Sequence, residues 1–429
     1  MFIKRSKLFK NKNNILSIII VLLIFVSCTT NKKTVPILKD DINFAHFNRL
    51  YKEINFNGEK VGIVHIYSEY PNYEFEIEPK EGFTCVDDVA RAIVMLSKYL
   101  KDNKKDEEAL KKMKFLTKFV IQMQHENGYF NNFIWNDLSI NTSYKTSVAE
   151  LNWWSFRALW GLESAYDLLK FDKDLVKRIE EVSEKLIENI KRDLPINNLK
   201  TEVVETIEVP TWLPQKYASD QAALLMLGLL KNYERTADID IKILIDTLAE
   251  GIMFTQKGDT NNYPYGAFLS WQNLWHAWGN NQAYALLKAG QQFDNQTYID
   301  SALKEIENLY PYLLKNGFAE AFWIEKIGES SYNEINRNKY PQITYGLRPM
   351  IWATAEAYQI SNNKKYLKMA KELKSWLDGN NDANSVMYNP ATGVCFDGII
   401  SEDEINKNSG AESTIESLMI LIETKKLRE

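Results

Sequence analysis

The chain has 429 residues, 25% of them charged, and carries a net charge of −5. Residues 1–27 hold five basic side chains and no acid, so the remainder stands at −10, which excludes long-range attraction to nucleic acid or to an anionic bilayer surface. Three cysteines in this length exclude a disulfide framework.

Lys4, Arg5, Lys7, Lys10 and Lys12 precede an apolar run from Ile15 to Val26, followed by Ser27 and Cys28. That run is too short to span a bilayer comfortably, so residues 1–27 read as a signal peptide, with an uncleaved anchor as the alternative. The segment resembles the lipobox of bacterial lipoproteins, and the resemblance implies lipidation of Cys28 and a membrane-anchored body, periplasmic or at the cell surface. Residues 28–40 are polar, contain Pro36 and read as a tether. Without a Gly/Ser/Pro-rich linker further on, residues 41–429 are expected to form one domain and a monomer.

Six almost wholly apolar helices then open at a spacing of 61 to 70 residues, at Asp88, Glu150, Asp220, Asn281, Tyr345 (with Arg348 and Pro349 marking the start) and Glu412. Between them, residues 107–124, 174–191, 239–254, 298–315 and 364–377 carry a single apolar stripe, such as Leu110, Met113, Leu116, Val120 and Met123. Helices apolar all round must be enclosed by protein, whereas striped ones face water on one side. A repeat of this length is a helical hairpin, and a segment near Asp41 to Ile54 supplies the sixth outer helix by packing on the last inner one. Alternating residues at 61–79 and 201–214 predict half-buried strands in the connecting loops.

This alternation, with the loop stretches QHENGYF, LLKNGFAEAF, YNPATGVCFDG and NSGAESTIE, resembles the six-hairpin glycosidase superfamily. The resemblance covers Gly62 to Lys425 and implies an all-α fold, an (α/α)6 toroid with short β-hairpins in its loops. It also implies a carbohydrate substrate.

In such a ring the inner helix N-termini gather at one funnel, with their unsatisfied amides and partial positive charge. Asp87, Asp88, Glu150, Asp220 and Glu412 would meet there. Glycoside hydrolysis needs two carboxyl groups, one protonated and one ionised, so Asp88 with Glu150, Asp220 or Glu412 are the catalytic candidates. Three of these acids also fit helix capping, Asp88 and Asp220 not being in that register: Thr84 stands three residues before Asp87, Ser147 before Glu150 and Ser409 before Glu412. Arg91, one turn beyond Asp88, and Arg348 either brace the ring or hold a uronic acid. Trp271 and Trp275 read as sugar-stacking rings, and Trp278, Trp153, Trp154 and Trp160 as core. His276, Tyr345, Tyr67 and Trp212 complete the substrate-binding candidates.

No cofactor is expected, and four histidines without ligand spacing argue against zinc. Asp378, Asn380, Asp382 and Asn384 alternate as in a calcium loop, but Ala383 replaces its glycine. Cys85 and Cys395, both just before inner helices, are expected as buried thiols, with a bridge as the alternative. The leading expectation is a lipid-anchored glycoside hydrolase; a polysaccharide lyase or sugar epimerase, and a non-catalytic glycan-binding lipoprotein, are the alternatives.

Overall fold

The computed structural model describes residues 42–427, so the leader, Cys28 and the tether lie outside the described residues. In chain order the helices are α1 (Ala45–Leu50), α2 (Val86–Asp102), α3 (Glu107–Gln122), α4 (Trp153–Tyr166), α5 (Lys173–Asp193) and α6 (Ser219–Thr236). They continue with α7 (Ile239–Phe254), α8 (Gln282–Phe293), α9 (Gln296–Asn316), α10 (Thr344–Ser361), α11 (Lys364–Lys374) and α12 (Ala411–Lys426). Each even-numbered helix packs on the next, and α12 returns to α2, so the inner ring closes. The even-numbered helices are buried on nearly every face; α6 is covered without a break from Ser219 to Leu230. Among the described residues no helix is long and apolar enough to cross a membrane.

The sixth outer place is only partly helical. α1 packs on α12 for six residues, after which the chain turns into an antiparallel hairpin, Tyr51–Phe56 with Glu59–Val64, that lies on α3. Asn57 and Gly58 make the turn with φ of 47° and 79°, the positive values that a two-residue hairpin loop demands and that Asn-Gly supplies at least cost. The expected loop strands are present as Tyr67–Glu69 with Glu74–Glu76 and Thr201–Val204 with Ile207–Pro210. A three-stranded sheet, Leu274–His276, Ala321–Lys326 and Tyr332–Asn338, was not expected.

The helix openings also correct local expectations. None of the three capping boxes forms. The Cys85 sulfur caps α2, accepting from Asp88 N at 3.4 Å, while Asn152 caps α4 and Gly410 precedes α12. Ser147 Oγ instead accepts from the amides of Asn132 and Phe133 and braces their loop. α10 begins at Thr344, so Pro349 lies within it and does not mark its start.

Two features hold the ring shut. Glycines let inner helices approach closely: a Cβ on Gly228 would stand 2.9 Å from Leu159 Cγ and 3.0 Å from the Trp160 amide nitrogen on α4. The α2–α12 seam, by contrast, is ionic. Arg91 Nη2 lies 2.9 Å from Glu412 Oε2 and its Nε 3.0 Å from Glu416 Oε1, while Arg348 Nε on α10 donates to Glu416 Oε2 at 2.6 Å.

Two stability outcomes follow. Gly228→Val should cost about 1–3 kcal/mol by overpacking, read as a lowered thermal midpoint. Arg91→Met, which leaves buried carboxylates without their cation, should cost about 3–5 kcal/mol in denaturant unfolding; a change within error would mean that this pair does not close the ring.

Candidate active site

Four inner helices converge on a cavity of about 250 Å³ at their N-terminal ends. Helix α2 contributes Asp87 and Arg91, α4 Trp153 and Arg157, α10 Tyr345 and α12 Glu412; Trp278 and Ile343 come from the loops before α8 and α10. The positive ends of helix dipoles therefore surround a site built largely of paired charges.

Arg91 is the centre of that arrangement. Its Nη1 donates to Asp88 Oδ1 at 2.6 Å, and its Nη2 lies 3.1 Å from Asp87 Oδ2 as well as 2.9 Å from Glu412 Oε2. Arg157 Nε donates to Asp87 Oδ1 at 2.6 Å. These contacts drive neighbouring carboxyls in opposite directions. Burial opposes ionisation of Asp87, but Arg157 and Arg91 outweigh it and hold the group below the ordinary aspartate range. Burial also acts on Glu412, and there Arg91 only partly offsets it while Asp88, Glu416 and Asp87 repel a further negative charge, so the carboxyl is pushed up to about 7. The Glu412 side chain lines the cavity and is 41% exposed. Asp88 is raised by burial and by Asp87, against the pull of Arg91.

Tyr345 forms the second polar element. Arg157 Nη2 donates to its hydroxyl at 2.8 Å, which leaves the phenolic O–H to be given to a ligand. The guanidinium groups of Arg91, Arg157 and Arg348 lie 4.7, 5.3 and 5.5 Å from its ring centre, so the ring quadrupole is surrounded by positive charge. The indoles of Trp153 and Trp278, which also line the cavity, meet with ring centres 6.0 Å apart.

The remaining expected residues divide clearly. Asp88 lies buried behind the cavity wall, held by Arg91 and by the Cys85 thiol, which donates to Asp88 Oδ2 at 3.4 Å. Asp220 and His276 stand behind Trp278: His276 Nε2 is 2.9 Å from Asp220 Oδ2, its Nδ1 2.7 Å from the Trp278 carbonyl, and its ring stacks on the indole at 3.6 Å. Arg348 is fully buried between Glu416 and Asn281. Glu150 is exposed on the loop before α4, accepting from Asn152 Nδ2, because that helix starts at Trp153. Tyr67 donates to Glu81 at 2.7 Å.

Two tryptophan expectations, Trp212 and Trp275, are corrected. Trp212 is buried and donates to the Thr247 carbonyl of outer helix α7, and Trp275 is fully buried and stacked on Phe322. Trp271 packs edge-on against Tyr217. The cavity instead takes Trp278 and Trp153, both expected in the core. Arg157 and Glu416 were not singled out, although a signal existed. Arg91, Arg157, Gln221, Gln282, Arg348 and Glu416 recur 61 to 68 residues apart, one polar residue per inner helix, and Arg157, Gln221, Gln282 and Arg348 each have a buried polar atom without a hydrogen-bond partner.

Among the described residues no group of acids, histidines and cysteines is arranged to hold a metal. In the calcium-like stretch Asp378 pairs with Lys374, and Asp382 accepts from Gln342 and pairs with Lys339. Cys85 and Cys395 are free, buried thiols.

No family model and no curated protein matches this chain. Solved structures do. A sugar epimerase from a ruminal bacterium superposes with a TM-score of 0.60 at 13% identity, over 90% of this chain and 97% of that one. The cellobiose 2-epimerase of Bacillus thermoamylovorans B4167 gives 0.61 at 12% identity over 88% and 94%. A family 76 glycoside hydrolase from a bovine Bacteroides thetaiotaomicron strain gives 0.56 at 11% over 87% and 74%. At these identities the likeness is one of fold, and the chain is an (α/α)6 toroid built of six hairpins.

Proposed function

We propose that the chain is a carbohydrate-active enzyme, a glycoside hydrolase in which Glu412 is the general acid and Asp87 the ionised partner. One arrangement carries this reading: of two carboxyls in a single cavity, Asp87 pairs with both Arg91 and Arg157 while Glu412 pairs with Arg91 alone, so the first is held down and the second pushed up to about 7. Glu412 holds its proton near neutrality and gives it to the departing glycosidic oxygen. Asp87, kept ionised by Arg157 and Arg91, is the partner on the other side of the bond: either it bonds to the anomeric carbon as the glycosidic bond breaks and water then releases the sugar, or it takes the proton of a water that attacks that carbon directly. Both carboxyls contact Arg91 Nη2, so these two oxygens are separated by at most the sum of the two distances, 6.0 Å. Asp88, the leading candidate from sequence, becomes a positioning residue for Arg91. From the leader we further propose a lipid anchor at Cys28 and a site of action outside the inner membrane.

One feature favours a second reading, sugar epimerisation or isomerisation. Tyr345, polarised by Arg157, offers an O–H in the same cavity as Glu412, and a proton acceptor poised near 7 together with an electrophilic donor suits removal of a carbon-bound proton.

Turnover on a panel of oligosaccharides, followed by NMR in deuterated water, separates the readings. Hydrolysis gives new reducing ends and no deuterium at ring carbons, whereas epimerisation places solvent deuterium on carbon without cleaving a glycosidic bond. Glu412→Gln should lower kcat by about 10²–10⁴-fold with an unchanged fold, and full activity in that variant would remove the assignment. The pH profile should be bell-shaped. Glu412 acts protonated, so activity is lost as pH rises through about 7, and Asp87 acts ionised, so activity is lost only below the ordinary aspartate range. A basic limb far from 7 would show that Glu412 is not the acid.

A further inference from the structure

Two arginines near the funnel would suit an acidic sugar, but the cavity wall shows what a ligand would meet. The side chains of Arg91 and Arg157 are only 2% and 1% exposed, while those of Asp87 and Glu412 are 22% and 41% exposed. The cations stand behind the carboxyls. Arg91 is already shared among Asp87, Asp88, Glu412 and Glu416, and Arg157 is committed to Asp87 and the Tyr345 hydroxyl. The remaining nitrogen of Arg157, Nη1, is sealed within the protein.

Resting on the carbohydrate reading, we infer that the site takes an uncharged sugar ring and rejects uronic acids. The carboxyl oxygens of Asp87 and Glu412 receive hydroxyl donors, and the ionised Asp87 repels a carboxylate. The same cavity is lined by the indoles of Trp153 and Trp278, the residue type that stacks on the C–H face of a pyranose, and His276 stacks on Trp278 at 9°. A uronate would place its charge against ionised Asp87 without reaching a free guanidinium edge. Lyase chemistry, which starts from such a carboxylate, is disfavoured on the same ground.

The test is ligand-observed NMR and calorimetric binding on the lipid-free mature chain, using methyl glycosides of glucose, galactose and mannose beside their C6-carboxylate counterparts. At least one neutral glycoside should bind, with its uronate at least about tenfold weaker. Asp87→Asn, which frees hydrogen-bonding capacity on both arginines and removes the repelling charge, should narrow that ratio; if it does not fold, the wild-type comparison stands alone. Uronates binding as well as or better than their neutral partners would overturn the inference while leaving Glu412, tested by turnover, untouched. A folded Asp87→Asn variant with an unchanged ratio would also overturn it. Binding of no sugar at all would take the carbohydrate reading with it.

Discussion

One guanidinium, that of Arg91, joins the fold to its chemistry. It lies between the first inner helix and the last, where the repeat must close on itself, and it meets four carboxylates at that seam. Burying that much charge is tolerable only when each ion is paired and hydrogen-bonded. The pairing is unequal. Asp87 has a second cation in Arg157, and Glu412 has none. That inequality keeps one carboxyl ionised and lets the other retain its proton, so the device that shuts the ring also creates an acid beside a base.

The two-layer toroid was legible because burial leaves an unmistakable trace in sequence. A helix enclosed on all sides, such as α6, has almost no polar residue between Ala222 and Leu230, whereas a striped helix such as α3 alternates lysines with its buried face. The near-constant repeat then implied closure. Short-range geometry was less readable. Trp271, Trp275 and Trp278 have helical spacing, but tertiary pairing with Ala321–Lys326 makes Leu274–His276 a strand. A strand alternates its faces, so Trp275 enters the core, and the turn that follows brings Trp278 to the cavity. The six-residue α1 yields to a hairpin because Asn57-Gly58 is a stronger signal than the helical pattern before it.

The candidate site was legible in kind but not in detail. Acids at helix openings were correctly placed at the funnel for Asp87 and Glu412, which line the cavity. Asp88 follows Asp87 by 100° of helix rotation, enough to turn it from the cavity into the wall behind Arg91. Glu150 missed the funnel because α4 begins three residues later, with Asn152 at its cap. Arg157 was hidden among the tryptophans of an apolar helix. Its spacing from Arg91 is itself one repeat, so comparison of equivalent positions in successive hairpins, beyond their apolar runs, would have found it.

The most direct test of this account is the protonation state of one side chain. Carboxyl 13C chemical shifts, recorded across pH on glutamate-labelled protein and assigned by difference with Glu412→Gln, report it without a substrate. The account predicts a resonance that titrates near 7 and is absent from the variant. A Glu412 carboxyl that titrates near the ordinary 4.5 would contradict it.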